Sequence, residues 1–385
     1  MIRGFLVSFR LLLLLLPLLV VAQAAFAEEK LMRVDFSVQA LRDSNFSRAE
    51  ENDDAEQVSL SAARVDLSTS YSQQKWTGFW RASQYRHQEN TDFNSLLNEG
   101  GANWSGNITS KVNFVVDGVR NVYLADRLEF FEKDLVTKDE AKAVLGYGND
   151  EKLSFRFGAR QGRQAHSNTQ RENLNFNEDD LFTEVGYSTA NRSTIILRAA
   201  SGSREYPNNL ISIPLDDLNY DYRQLELETL WIASPKTKIS SSFTAFDRIG
   251  ALNDSSGLFM SIDIEWAATP KLRFNSGFLV KQPPIGETLE QVSKAKTVFL
   301  TGVWQLTTKL SFTSGLSGTL QQILVSDVSD SREERVYSAT PVAINFKLAN
   351  NLSIRFDSKW IRRESTLSYR DFIDRQAAVG LFFNF

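Results

Sequence analysis

The 385-residue sequence contains no cysteine. That excludes a disulfide framework, a thiolate metal site and a lipid-modified N-terminal cysteine. Histidine is almost as scarce, with only His87 and His166. Both lie in polar, loop-like surroundings, QYRHQEN and RQAHSNTQREN, and read as surface loop residues. There is no HExxH, no metal-ligand cluster and no glycine-rich phosphate loop. No catalytic residue, cofactor or metal site is therefore predicted, and the chain does not read as an enzyme. The formal net charge of −4 and pI near 5.5 lack the basic face that a nucleic-acid partner requires. Beyond residue 27 there is no apolar run of about eighteen residues, so no transmembrane helix is expected.

The first thirty residues differ from the rest. Arg3 and Arg10 flank a basic start, Leu11 to Val21 is apolar and broken by Pro17, and Ala25-Phe26-Ala27 is a small-x-small site followed by Glu28 and Glu29. This is the layout of a secretory signal peptide. The predicted division is a signal peptide over 1–27 and one membrane domain over 28–385, with no room for a plug or helical scaffold ahead of the first strand.

From Met32 onward the hydrophobic period is two. Met32, Val34, Phe36, Val38 and Ala40 alternate with polar neighbours, as do Leu153, Phe155, Phe157 and Ala159, then Leu258 to Trp266 and Leu272 to Val280. In a strand such sets fall on opposite faces. The runs are about ten residues long, the length a tilted strand needs to cross a bilayer. Val336, Ser338, Thr340, Val342, Ile344, Phe346 and Leu348 read as one face of a further strand. Short connections (148–150, 189–192, 268–270, 349–351) alternate with long charged ones (162–179, 204–221, 282–294, 322–334). The predicted fold is all-β: a transmembrane antiparallel up-and-down barrel, eighteen strands by count with sixteen as an alternative of the same parity, both termini periplasmic. Its predicted location is the outer membrane of a Gram-negative bacterium. The least regular stretches are VSLSAARVDLSTS, which slips phase near Ala63, and the glycine-rich NEGGANWSGNITS. DRLEFFEKD at 126–134 reads as a loop or short helix.

One phrase recurs: WSGNITSKV at 104–112, WIASPKTKI at 231–239, WAATPKL at 266–272 and WQLTTKL at 304–310. It reads as a periplasmic hairpin. Trp104, Trp231, Trp266 and Trp304 are interface anchors, because an indole is half apolar and carries one N–H. Thr-Pro or Ser-Pro supplies the turn, and Lys238, Lys271 and Lys309 reach the interface before the next strand. At the chain end Val379, Leu381, Phe383 and Phe385 share one face. They form the expected sorting signal for the barrel-assembly machinery, which is a predicted partner together with outer-membrane lipid.

The opposite parity set faces the lumen. The predicted lining is Arg156, Arg160, Arg198, Glu226, Glu228, Asp263, Glu265, Arg273, Lys281, Arg355, Asp357 and Lys359, interspersed with Ser, Thr, Asn, Gln and Gly. A hydrated wall of both signs is only weakly ion-selective and suits neutral, hydroxyl-rich solutes.

Several segments resemble a known group. LRDSNFSR at 41–48, SREYPNN at 203–209, the repeated Trp–turn–Lys hairpins and the GLFFNF ending are similar to the EpsL-type β-barrels found with exopolysaccharide biosynthesis loci. The resemblance implies an outer-membrane channel taking part in export of a secreted exopolysaccharide, with the polymer as solute and periplasmic polysaccharide-export components as further partners. A general or sugar-selective diffusion porin is the alternative. The family supplies no catalytic residues to carry over.

Overall fold

The computed structural model describes residues 31–50, 54–125, 132–148, 152–209, 217–284, 292–323 and 332–385. The expected signal peptide, the turn at Asn149–Asp150 and most of 126–134 lie outside them. The strands are β1 (Met32–Asp43), β2 (Glu56–Tyr71), β3 (Gln74–His87), β4 (Ser95–Asn107), β5 (Val112–Leu124) and β6 (Leu135–Tyr147). They continue with β7 (Leu153–His166), β8 (Phe176–Ser188), β9 (Thr194–Glu205), β10 (Tyr220–Ser234), β11 (Thr237–Ile249) and β12 (Ser255–Thr269). The last six are β13 (Leu272–Lys281), β14 (Val292–Gln305), β15 (Leu310–Ile323), β16 (Arg332–Ala349), β17 (Leu352–Ser365) and β18 (Phe372–Asn384).

Every strand pairs antiparallel with its sequence neighbours, and β1 pairs with β18 from Asp35↔Asn384 to Asp43↔Gln376. The eighteen-strand barrel is therefore closed, and no ladder edge is left without partners. The seam is finished by the last residue: the Phe385 N–H donates to the Val34 carbonyl at 2.9 Å, and the Val34 N–H donates back at 3.2 Å.

The outer face follows from the register. Trp80, Trp104, Val116, Leu145, Phe155, Phe157, Leu181, Leu197, Leu225, Leu300, Leu316 and Val379 are all exposed and share one parity around the barrel. An exposed apolar belt on this scale needs lipid against it.

The recurring hairpins owe their geometry to a hydroxyl. Thr269 Oγ1 accepts from the Lys271 and Leu272 N–H groups at 3.2 and 3.0 Å. Thr307 does the same for Lys309 and Leu310 at 3.1 and 3.0 Å, and Thr109 for Lys111 and Val112 at 3.2 and 3.1 Å. In the remaining copy Ser234 Oγ accepts from Lys236 at 3.1 Å. The turn lysine there is Lys236, which corrects the expectation for Lys238. Lys238 opposes Glu265 on the inner face. The tryptophans lean on strand-start aromatics, Trp266 on Phe274 at 5.6 Å and Trp304 on Phe312 at 6.2 Å between ring centres. Trp104 contacts Phe114 at 4.7 Å and stacks on Trp76 at 6.3 Å.

Three expectations are corrected. The apparent phase slip in β2 is absent: β1 and β2 pair without a shift from Met32↔Leu67 to Asp43↔Glu56. The chemistry inverts instead, with Val58 and Leu60 inward and Gln57 and Ser59 outward, because this part of the strand lines a small core at the external mouth. The face assigned to Val336–Leu348 is broken. The register shifts between Ala339 and Ala343, so Val336 and Ser338 point inward while Ile344, Phe346 and Leu348 point outward. Pro341 lies inside the bulge, where the absent N–H removes no ladder bond. The Ser358 hydroxyl closes the gap, accepting from the Val342 N–H at 3.1 Å and donating to its carbonyl at 2.8 Å. Finally, the long connections are shorter than expected, since β7 continues to His166, β8 begins at Phe176 and β16 at Arg332.

Candidate functional site: the inner wall and external mouth

The inward parity of β7 to β13 and β17 carries Arg156, Arg160, Arg198, Glu226, Glu228, Asp263, Glu265, Arg273, Lys281, Arg355, Asp357 and Lys359. Four of them join ion-pair chains running around the wall. Arg156 meets Glu184 at 3.4 Å, Glu184 meets Arg198 at 3.2 Å, Arg198 meets Glu226 at 3.7 Å, and Glu226 accepts from the Ser242 hydroxyl at 2.7 Å. Nearer the external end Arg160 meets Asp180 at 2.5 Å and Glu178 at 2.7 Å. The Tyr222 hydroxyl donates to Glu178 at 2.8 Å, and Arg204 reaches Glu178 at 2.5 Å.

Across the barrel, pairs two residues apart on one strand face dominate: Arg33–Asp35 at 3.1 Å, Arg64–Asp66 at 2.7 Å and Arg355–Asp357 at 2.8 Å. Such exposed pairs add little stability; their effect is to neutralise the wall locally. Glu228, Asp263, Glu265, Arg273, Lys281 and Lys359 form no ion pair among the described residues. The wall of β14 and β15 is mainly hydroxyl-bearing, with Thr297 and Thr319 hydrogen-bonded at 2.9 Å.

The inner face also holds aromatic rings that period-two reading assigned to no role. Phe182 lies where a Cβ on Gly158 would come within 2.3 Å of its ring, and Phe79 lies 2.8 Å from the corresponding point on Gly101. Each ring covers the bare backbone of a cross-strand glycine. An arginine caps each, Arg198 at 4.1 Å over Phe182 and Arg64 at 4.6 Å over Phe79. The signal was available: glycine and phenylalanine both occupy the polar parity on adjacent strands. Gly101 of β4 is thus a packing position.

Three cores pack along the rim of the external end. In the first, the DSN-x-x-R element of the loop after β1 folds against the seam. Arg48 donates from two nitrogens to the Asp43 carboxylate at 3.0 and 3.1 Å and reaches Asp374 of β18 at 2.7 Å. Phe46, wholly buried, contacts His87 and Phe93 at ring-centre distances of 5.2 and 5.1 Å. In the second, Asp134, wholly buried, accepts from His166 Nδ1 at 2.7 Å, from Arg171 at 3.1 Å and from the Ser167 and Asn168 N–H groups at 3.0 and 3.1 Å. Burial opposes the charge of Asp134, but the His166 hydrogen bond and the backbone N–H of Asn168 outweigh it and hold the carboxyl below its ordinary range. His87 and His166 are therefore buried strand-end residues, not surface loop residues. The second ring nitrogen of His166 faces the Gln164 amide at 3.0 Å. In the third, Phe176, Tyr206, Leu218, Tyr220 and Tyr222 pack as one buried cluster. Arg204 lies 4.0 Å over Phe176, and Arg248 lies 4.2 Å over Phe246. Tyr206 is the tyrosine of SREYPNN, so both short motifs act as mouth-core elements. Beside this third core lies a cavity of about 450 Å³.

No family model matches the chain, and no curated protein matches it. Solved structures do. OccK2 (OpdF) of Pseudomonas aeruginosa, crystallised with glucuronate, aligns with a TM-score of 0.52 at 9% identity, over 92% of this chain and 96% of its own. OccK1 (OpdK) of the same organism gives 0.52 at 7% identity, covering 92% and 99%. OccAB4 of Acinetobacter baumannii gives 0.50 at 9%, covering 93% and 99%. The barrel shares the fold of outer-membrane porins. With the lipid-facing belt, that fold puts the chain in the outer membrane. At this identity the likeness extends to architecture and not to solute.

Proposed function

We propose that the protein is a diffusion porin for small polar solutes. The observation that carries this reading is a closed eighteen-strand wall whose inner face is hydroxyl-bearing and carries charges of both signs, under external connections too short to cross it. Strands spaced about 4.8 Å apart and tilted about 40° give a backbone diameter of roughly 35 Å. The longest external connection runs from 206 to 219, and fourteen residues leaving and returning to the wall reach at most about 25 Å. Its two ends are moreover packed on the wall through Tyr206 and Leu218. The inward residues named above are the solute-contacting set on this reading. The terminal Val379, Leu381, Phe383 and Phe385 serve assembly, residues 1–27 are removed on secretion, and the protein performs no catalysis. In planar bilayers the purified barrel gives a stable open conductance, and liposomes carrying it swell in small sugars. A barrel that inserts but carries no current sinks the proposal.

Export of an exopolysaccharide is the second reading. It draws on the DSN-x-x-R and SREYPNN resemblance and on the same wide, weakly selective lumen. Deleting the gene then lowers polymer at the cell surface and raises it in the periplasm. Normal surface polymer with no periplasmic build-up would end this reading and leave the first intact.

A further inference from the structure

Three arginines on the outer wall differ from the others at the rim. Arg42 of β1, Arg86 of β3 and Arg375 of β18 are exposed. The register gives all three the lipid-facing parity. Arg42 lies opposite Ala377, which with Arg375 shares the face of Val379, and Arg86 shares the face of Trp80.

Their height follows from strand length. Each lies ten residues along its strand from an outward residue at the periplasmic end: Arg42 from Met32, Arg86 from Trp76 and Arg375 from Phe385. At about 3.4 Å per residue and a tilt of about 40°, ten residues climb roughly 26 Å. The apolar band of such a barrel is about 25 Å tall, so the three arginines stand at the head-group level of the outer leaflet. The stagger agrees. The Ser44 N–H donates to the Arg375 carbonyl at 3.0 Å, which sets Arg375 two residues above Arg42, and Arg86 is level with Ala40 through Ser59, two residues below. Positions of equal height on successive tilted strands are offset in this way.

Other outward arginines bond to outward carboxylates: Arg120 to Asp139 at 2.6 Å, Arg335 to Glu333 at 3.0 Å and Arg362 to Glu364 at 2.7 Å. Within β18, β1, β2 and β3 no outward position carries Asp or Glu. The strand carboxylates nearest to the three arginines point inward and are engaged. Asp43 and Asp374 hold Arg48 at 3.0 and 2.7 Å. Glu56, wholly buried, accepts from the Gln88, Glu89 and Asn90 N–H groups at 2.8, 3.1 and 2.9 Å. The outward positions between the arginines are Gln57, Ser59 and Gln84, all exposed and all neutral.

A row of cations interleaved with amides and a hydroxyl, at head-group depth, is complementary to phosphate carried on a sugar. Arginine matches phosphate oxygens through parallel N–H bonds, and the amides and hydroxyl match sugar hydroxyls. Arg42 and Arg375 are diagonal neighbours, about 7–8 Å apart at the backbone, and Arg86 lies two strands beyond Arg42. A glycerol phospholipid brings one phosphodiester and leaves the neutral positions unused. A phosphorylated sugar lipid uses both kinds of contact.

We infer that the outer face of β18, β1, β2 and β3, at the external edge of the apolar belt, docks a phosphorylated glycolipid of the outer leaflet. Arg42, Arg86 and Arg375 take the phosphates, and Gln57, Ser59 and Gln84 take the sugar hydroxyls. The surface lies outside the lumen and is independent of what passes through it.

Native mass spectrometry of the full barrel in detergent tests this, with diphosphoryl lipid A, monophosphoryl lipid A and phosphatidylglycerol as probes. Retention falls in that order. Arg42→Gln combined with Arg375→Gln lowers the affinity for diphosphoryl lipid A roughly tenfold, the scale of one charge-assisted hydrogen bond, and leaves phosphatidylglycerol unchanged. Arg86→Gln, at the other end of the row, weakens diphosphoryl lipid A by itself. Arg120→Gln, which removes an arginine already held by Asp139, leaves all three probes unchanged. Heat-modified gel mobility confirms that each variant is folded. A folded double variant with the parental affinity overturns the assignment, as does phosphatidylglycerol binding as tightly as diphosphoryl lipid A. A loss in Arg120→Gln equal to that of the double variant also overturns it, because the attraction then comes from the overall charge of the rim.

Discussion

The clasp at the barrel seam offers the sharpest test of how the chain ends are held together. Arg48 is 9% exposed and sits between Asp43 at 1% and Asp374 at 0%. Its backbone is left-handed, with φ of 56°, a conformation that a non-glycine residue adopts at a cost, so the ion-pair geometry outweighs local strain. Replacing Arg48 with Met keeps the stem but leaves two buried carboxylates without their cation. Breaking a buried pair in this way costs about 3–5 kcal/mol. Neutralising one of the stranded carboxylates should recover part of that loss. Asp374→Asn in the Arg48→Met background is therefore more stable than Arg48→Met alone, although Asp374→Asn alone is destabilising. Equilibrium urea unfolding in lipid vesicles, followed by tryptophan fluorescence, measures all four corners of the cycle. A loss below about 1 kcal/mol for Arg48→Met, or a double variant no better than the single, would refute the view that the clasp closes the seam through charge pairing.

Other outcomes follow from the same geometry. Ser358→Ala strips Val342 of its hydroxyl partner at the β16 bulge and costs about 1–3 kcal/mol in vesicle unfolding; a variant within error of the parent would show the bulge to be satisfied otherwise. Leu300→Arg, on the outer face, costs about 2–4 kcal/mol near the bilayer midplane, whereas Thr301→Arg, one residue along on the inner face, changes conductance and not stability. Equal costs would contradict the parity assignment. Asp134 has a folded-state carboxyl pKa below its unfolded value, so its contribution is present above the unfolded value near 4 and is lost as pH falls through the folded one. Relative to the intrinsic chemical rate, hydrogen exchange in residues 167–175 should lose protection as pH falls below about 4, and Asp134→Asn should remove most of that pH dependence. Exchange that follows the intrinsic chemical rate alone would refute this.

The strand pattern was legible because a lipid-facing barrel imposes a constraint that is local in sequence. Every second residue of every strand must be apolar, and the turns must alternate in length. The structure has the eighteen strands counted from the sequence, including β2 and β4, whose sequences are least regular. The misreadings arose where that constraint lapses. Above the membrane, Val58 and Leu60 turn inward to a mouth core, and His87 and His166 end strands taken to be loops. Within β16, Pro341 allows a bulge that exchanges the two faces, and a two-letter parity code carries no mark of an inserted residue. The hairpin phrase was located correctly, but its working atom is the Thr or Ser hydroxyl more than the proline or lysine.

By itself the sequence determined that this is a membrane barrel, which face of most strands meets lipid, and that the lumen is polar with both signs. Each of these depends on residues one, two or ten positions apart. The tertiary structure alone decided which charges neutralise each other, which rings cover which glycines, and that Asp43, Arg48 and Asp374 form one clasp. Those contacts depend on the stagger between strands and on closure of the sheet. That closure brings Ser44 within 3.2 Å of Asp374, a separation of 330 residues along the chain.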